Sequence, residues 1–209
     1  APKRDILCIY NSESIWSHEI CAQSENYSTR NVIDFIQSFS HTQGFALDFA
    51  PNVEAAGTNL SAYACIVLPG YAFEITVAER LLLIAYLRQG GRILSLPRTG
   101  QKSKNNQMSP EPFAFYEGDD FVFEDAGALL ANEKERFVPE DSFTPFTGSL
   151  WAEKINPAKS AWRSRAQFID GIFRFSPAIL KREFPGLHIH LSICPETTLP
   201  FMSWLLNEM

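Results

Sequence analysis

Three stretches of this sequence carry side chains suited to chemistry: Asn11-Ser-Glu-Ser-Ile-Trp-Ser-His-Glu19, Pro69 to Glu74, and Pro97 to Gln101. Each follows a segment that reads as a β-strand. In an open α/β sheet, ligands bind outside the carboxyl ends of the strands, so the three stretches are expected to meet there. Nucleophilic catalysis would need a cysteine or serine on a sharp strand-to-helix elbow. The residues at that place are Leu96-Pro-Arg-Thr-Gly100, with no cysteine, and neither G-x-C-x-G nor G-x-S-x-G occurs in the chain. Thr99 lacks an adjacent base. A phosphate site would need a glycine-rich or hydroxyl-rich cradle opening a helix. Asn11-Ser-Glu-Ser14 has no glycine, and Glu13 would repel the anion. His188-x-His190 sets two imidazoles on one face of a strand, a geometry that metals use. Two ligands do not complete a site, and a polar strand face is the simpler reading. His18 with Glu19 is a second pair, adjacent in sequence and not convergent by that fact alone. Glu13, Glu19, Glu74 and Asp48 are carboxylates for glycosidase-type acid/base work. Solvated loop acids are the simpler reading of them.

Trp16 stands among polar residues in an expected loop. It suits sugar stacking, packing in its own core, or a partner subunit. The ligand or interface candidates are therefore Glu13, Trp16, His18, Glu19, Tyr71, Glu74, Arg98 and Thr99. No cofactor and no metal are expected.

The elements that would position these residues centre on Tyr63 to Leu96. Cys65 to Leu68 is a short apolar run ended by Pro69-Gly70, as in a strand covered on both faces. Thr76 and Glu79 have capping-box spacing. Val77, Leu81, Ile84 and Leu87 or Arg88 follow at helical spacing, which sets Glu79 and Arg80 nearer solvent. Gly90-Gly91 stops the helix, and Ile93 to Leu96 opens the next strand. Upstream, Ile6 to Tyr10 and Phe45 to Phe49 read as strands, with a helix over about Ser28 to Gln43 between them. Pro51 to Leu60 reads as a connecting loop. Arg98 to Gln107 is polar and aperiodic and reads as a mobile loop. Residues 110–150 give no clear assignment beyond a strand at Phe121-Val-Phe123 and a short helix over Ala126 to Glu135. Trp151, Trp162, Phe143 and Phe146 read as the core of an appended layer. Ala178 to Arg182 and Leu187 to Ile193 read as a β-hairpin with a Pro185-Gly186 turn, and Pro200 to Leu206 as a closing helix.

The expected fold is a doubly wound α/β domain with a mostly parallel sheet and a C-terminal hairpin and helix. It takes residues 1–209 as one domain with an irregular insertion at about 98–150. With 209 residues, 45% of them hydrophobic, the chain can bury a full core. A net charge of −6 opposes a nucleic-acid or anionic-membrane surface. No apolar run reaches the ~20 residues of a membrane span. Cys8, Cys21, Cys65 and Cys194 lack metal-site spacing and read as reduced thiols, pointing to the cytoplasm. The opening Ala1-Pro2-Lys3-Arg4 carries no signal-peptide pattern, as expected of a processed protein or a domain of a longer polypeptide.

Taken in order, these residues resemble the central trimerisation domain of family 42 glycoside hydrolases, the β-galactosidases. The resemblance rests on Tyr10 to Glu19 after the first strand, Gly44-Phe-Ala-Leu-Asp-Phe-Ala-Pro51, Leu60 to Tyr63 through Leu68-Pro69, and Gly90-Gly91. Trp151-x-Glu153 and the closing hairpin and helix follow. It implies a class I glutamine amidotransferase-like, flavodoxin-like fold without a catalytic triad, used for oligomerisation beside a catalytic barrel. The missing elbow cysteine agrees with that. The chain is also similar to ThuA-type domains and, in Leu187 to Leu206, to the amino-terminal region of eukaryotic biotin–protein ligases.

The resulting expectation is a non-catalytic assembly or regulatory domain that associates with itself or with a partner domain of the same enzyme. The alternatives are a hydrolase, or a sugar- or small-molecule-binding domain, using Glu13, Glu19 and His18, and a regulatory domain of a biotin–protein ligase.

Overall fold

The computed structural model describes residues 4–20, 28–70, 75–103, 105–108, 116, 122–130, 132–157, 161–196 and 198–209. Two candidates, Tyr71 and Glu74, and the start of the expected strand at Phe121 lie outside the described residues.

The amino-terminal half builds a parallel sheet. Strands β1 (Arg4–Ile9), β2 (Leu47–Ala50), β3 (Tyr63–Leu68) and β4 (Arg92–Ser95) lie in the order β2-β1-β3-β4, all parallel. Their apolar runs are buried on both faces. On one face Ile6, Cys8, Cys65, Val67 and Leu94 meet Val32, Ile36 and Phe39 of helix α2 (Thr29–Gln43). On the other, Leu7, Ile9, Ile66 and Ile93 meet Leu83, Tyr86 and Leu87 of helix α4 (Val77–Arg88). The capping box of α4 forms: Thr76 Oγ1 accepts from the Glu79 amide at 3.1 Å, and Glu79 Oε2 accepts from the Thr76 amide at 3.0 Å. Glu79 is buried, against expectation, because its other oxygen accepts from the Val53 amide at 3.4 Å. Val53 opens α3 (Val53–Ala56), which with a 3₁₀ turn over Gly57–Ala62 occupies the expected connecting loop.

The carboxyl-terminal half departs from the expected fold. It contributes β5 (Val122–Ala128), β6 (Glu135–Pro139), β7 (Phe146–Asn156), β8 (Trp162–Phe168), β9 (Pro177–Arg182), β10 (Leu187–Leu191) and β11 (Ile193–Pro195). These extend the same sheet to eleven strands, in the order β11-β7-β6-β8-β9-β10-β4-β3-β1-β2, with β5 also on β7. Among the described residues four neighbouring pairs are parallel and six antiparallel. The chain is therefore a mixed, mostly antiparallel sheet. It is not the doubly wound, mostly parallel sheet of an amidotransferase-like or flavodoxin-like domain. Connection length is the reason. The links at 140–145, 169–176 and 183–186 are too short for a crossover helix, so each strand returns antiparallel to the last. The expected helix over Ala126 to Glu135 is replaced by the end of β5 and the start of β6.

Helix α5 (Leu199–Glu208) covers this half, with the Phe201 ring 5.9 Å from Phe137 and 5.3 Å from Phe146, both edge-on. Trp151, Trp162 and Phe146 are core residues, whereas Phe143 is fully exposed.

Candidate functional site

The two halves meet where β10 pairs with β4 in parallel, which sets His190 opposite Ser95. Side chains two apart on a strand share a face, so His188 joins them on the side that α4 covers. Glu153 of β7 reaches the same place. All four residues have 0% exposure.

Buried polar atoms must find partners, and here the partners form one chain. Glu153 Oε1 accepts from the Arg98 amide at 2.6 Å and from Gln101 Nε2 at 2.5 Å. Glu153 Oε2 lies 3.2 Å from His190 Nε2. Ser95 Oγ lies 2.9 Å from both His190 Nδ1 and His188 Nε2, and the Tyr116 hydroxyl lies 3.2 Å from His188 Nδ1. With a carboxylate at Glu153 and a neutral His190, the direction of every bond follows. His190 Nε2–H donates to Glu153, Ser95 O–H donates to His190 Nδ1, His188 Nε2–H donates to Ser95, and Tyr116 O–H donates to His188. Burial first, then the fields of His190 and Arg182, holds the pKa of His188 well below the usual imidazole range.

Serine, histidine and carboxylate are the groups of a hydrolase triad. Here the serine oxygen stands between two imidazoles and none of the groups touches solvent. What the arrangement does is tie β4, β7 and β10 together.

A second polar cluster adjoins it. The stretch expected as a loop after β1 is helix α1 (Ser12–Ile20). Asn11 Oδ1 caps it, accepting from the Ser14 amide at 2.8 Å. Ser14, Ser17 and His18 face inward. Lys102 Nζ donates to Ser17 Oγ at 3.2 Å and to Asn106 Oδ1 at 2.7 Å. Burial, then the positive charges of Arg98 and Lys102, pushes His18 down to about 3. Residues 98–102, expected to be a mobile loop, are buried. Arg98 lies over the Trp151 ring at 4.7 Å, and Thr99 Oγ1 donates to the Leu96 carbonyl at 2.7 Å.

Of the sequence candidates, the structure brings His18, Arg98 and Thr99 to this edge of the sheet. Glu13, Trp16 and Glu19 stay exposed on the outer face of α1. That face is inverted: serines and a histidine point in, whereas Trp16 is 60% and Ile20 80% exposed. At the same edge the Tyr10 and Phe49 rings, both partly exposed, meet edge-on at 6.3 Å. The expected polar face of β10 is buried with the rest of the strand, and its imidazoles bond to Ser95, Tyr116 and Glu153. Sequence reading gave Ser95 no role and met Glu153 only in the Trp151-x-Glu153 motif: Ser95 reaches His190 through the parallel β4–β10 pairing, and Glu153 reaches it from β7.

A model of the β-galactosidase trimerisation domain family matches residues 5–206. The chain belongs to that family. Its fold is similar to that of solved β-galactosidases, among them one from Bacillus circulans sp. alkalophilus (TM-score 0.84, 14% identity, covering 99% of this chain and 30% of that one). Another is from the haloarchaeon Halorubrum lacusprofundi (TM-score 0.83, 20% identity, covering 100% of this chain and 30% of that one). The trimerisation-domain chain thus spans about 30% of the length of these enzymes. A ThuA-like protein from Bacteroides uniformis shares the fold over 100% of this chain and 90% of its own (TM-score 0.67, 15% identity). No curated protein sequence matches the chain.

Proposed function

We propose that this trimerisation-domain chain is a non-catalytic assembly domain of a larger carbohydrate-active enzyme, and that it self-associates through the outer face of α1. The observation that carries the proposal is the inverted helix. A helix on a monomer turns its apolar side to the core. Here Ser14, Ser17 and His18 occupy the inner side, and Trp16 and Ile20 stand in water. Apolar surface of that kind at a sheet edge marks a site that a partner covers. Membership of a family described by trimerisation supports the same reading, and favours it over the biotin–protein ligase alternative.

The second reading, a sugar hydrolase using Glu13, Glu19 and His18, has less support. The two carboxylates lie on the opposite side of α1 from the buried imidazole. Among the described residues no helix is long and apolar enough to cross a membrane. Cys8, Cys65 and Cys194 are free and buried, and burial pushes the thiols of Cys8 and Cys65 up to about 12, which makes them inert core residues.

The test is the mass in solution of the chain and of its Trp16→Ala variant. The proposal expects an oligomer for the first and a smaller species, with an unchanged circular dichroism spectrum, for the second. An oligomer unaffected by the substitution would remove α1 from the interface.

A further inference from the structure

This inference rests on the self-association reading and specifies the contact. A patch that pairs with itself closes at two copies, so a ring of three needs two different, complementary patches on each chain. The outer face of α1 is one: Trp16 and Ile20 are flanked by Glu13 and Glu19. Neither carboxylate has a hydrogen bond or ion pair among the described residues. Its counterpart must offer an apolar contact beside positive charge.

A groove among the described residues has that character. It measures about 450 Å³ and lies on β8 and β9, lined by Arg163, Arg165, Lys181, Glu183 and Phe184. Lys181 lies opposite Arg163 in register, and Arg165 sits at a bulge of β8, where the register shifts between Ser164 and Ala166. Arg165 already holds Glu208 at 2.6 Å, Asp141 at 3.0 Å and Glu140 at 3.9 Å, and Lys181 holds Glu208 and Glu183, each at 3.2 Å, so the positive charge offered to a partner is that of Arg163. Arg163 is exposed and makes no hydrogen bond or ion pair among the described residues. Phe184 is 80% exposed, and its carbonyl accepts from Arg182 Nε at 2.8 Å, which holds the turn that carries the ring. Strands β3, β4 and β10 separate β1, and with it α1, from this groove, so the two patches are distinct parts of one chain.

We propose that α1 of one copy docks in the β8–β9 groove of the next, with Glu13 and Glu19 toward Arg163 and Trp16 against Phe184, and that three such contacts close a ring. The contact pairs acids with a base, each unpaired among the described residues, and exposed aromatic with exposed aromatic. Like charges facing across it would oppose association.

Charge exchange tests this on the full chain by sedimentation velocity. Arg163→Glu alone, and Glu13→Arg with Glu19→Arg, should each weaken trimer formation about tenfold or more. Combining all three in one chain should return the affinity to near that of the wild type. The wild-type contact should also weaken as salt rises. A wild-type chain that is monomeric throughout overturns the self-association reading, and this contact with it. A wild-type oligomer indifferent to both reversals overturns this contact alone. Two damaging reversals that the combination fails to rescue show that the patches do not face each other, and also overturn it.

Discussion

Ser95 Oγ lies 2.9 Å from His190 Nδ1, across a parallel pair of strands that joins the two halves of the sheet. Removing the hydroxyl leaves the N–H of His188 buried without its acceptor. Ser95→Ala should therefore cost about 1–3 kcal/mol of stability, the desolvation cost of an orphaned donor. Glu153→Ala should cost more, about 3 kcal/mol or above, because His190, the Arg98 amide and Gln101 lose their acceptor together. Urea unfolding of both variants measures this. A Ser95→Ala chain as stable as the wild type would show that the bonds hold nothing together.

Acid should destabilise the fold through its buried imidazoles. His18 titrates near 6.5 when unfolded and is pushed down to about 3 in the fold, by burial and by Arg98 and Lys102. The unfolded chain thus binds a proton that the folded chain refuses. This contribution is complete above pH 6.5 and is lost as the pH falls toward 3. His188, shifted in the same direction, adds to the slope. Unfolding free energy measured from pH 7 to pH 4 should fall, and His18→Gln should flatten the fall. Equal slopes in the two proteins would contradict the assignment.

Glu135 should act in the opposite sense. Burial, then the charges of Asp170 and Glu133, raises its pKa above the ordinary glutamate value of 4.5. Its Oε2 has no hydrogen-bond partner among the described residues, and Oε1 accepts only a long bond, 3.4 Å, from the Ile172 amide. The folded chain holds this proton more tightly than the unfolded one. Its contribution to stability is therefore complete below pH 4.5 and is lost as the pH rises through the folded value. Glu135→Gln should stabilise the protein at pH 7 and leave it unchanged near pH 3. Thermal melts at the two values decide it: destabilisation at pH 7 would mean that the carboxylate has a role the geometry does not reveal.

Parts of this fold were legible in the sequence for local reasons. The run Cys65–Leu68, the Thr76–Glu79 capping box and Gly90-Gly91 gave β3, α4 and β4 because each signal acts within a few residues. The buried face of α4 was misjudged. Its sequence, Val-Ala-Glu-Arg-Leu-Leu-Leu-Ile-Ala-Tyr-Leu-Arg, is apolar nearly all round, so periodicity picks no side. Val77 and Leu81 proved exposed, and Leu83, Tyr86 and Leu87 buried. Helix α1 read as a loop because its inner side is polar, satisfied by Lys102 and Asn106 far along the chain. Arg98, Thr99, Gln101 and Lys102 read as a solvated loop for the same reason: polar side chains look like surface until their partners are known. In the antiparallel half the β9–β10 hairpin and the closing helix were legible from their local turn and periodicity, whereas β6, β7 and β8 were hidden by irregular phenylalanine spacing. The relay joins residues 95, 153 and 190, which no local pattern links.

Replacing Trp16 should separate association from folding. A side chain 60% exposed supports little of the core, so Trp16→Ala should change unfolding free energy by no more than about 0.5 kcal/mol. Self-association should fall by tenfold or more, as for an aromatic anchor of an interface. Urea unfolding at a concentration where both proteins are monomeric isolates the first quantity, and dilution series isolate the second. A large loss of stability in the monomer would make Trp16 a core residue and remove it from the interface.

The central claim is that the chain assembles with itself, and its mass in solution tests this most directly. Multi-angle light scattering across a wide concentration range should give three times the 23.6 kDa of one chain, with dissociation only on dilution. A mass of one chain at every concentration would contradict the account and leave the exposed face of α1 without the partner proposed for it.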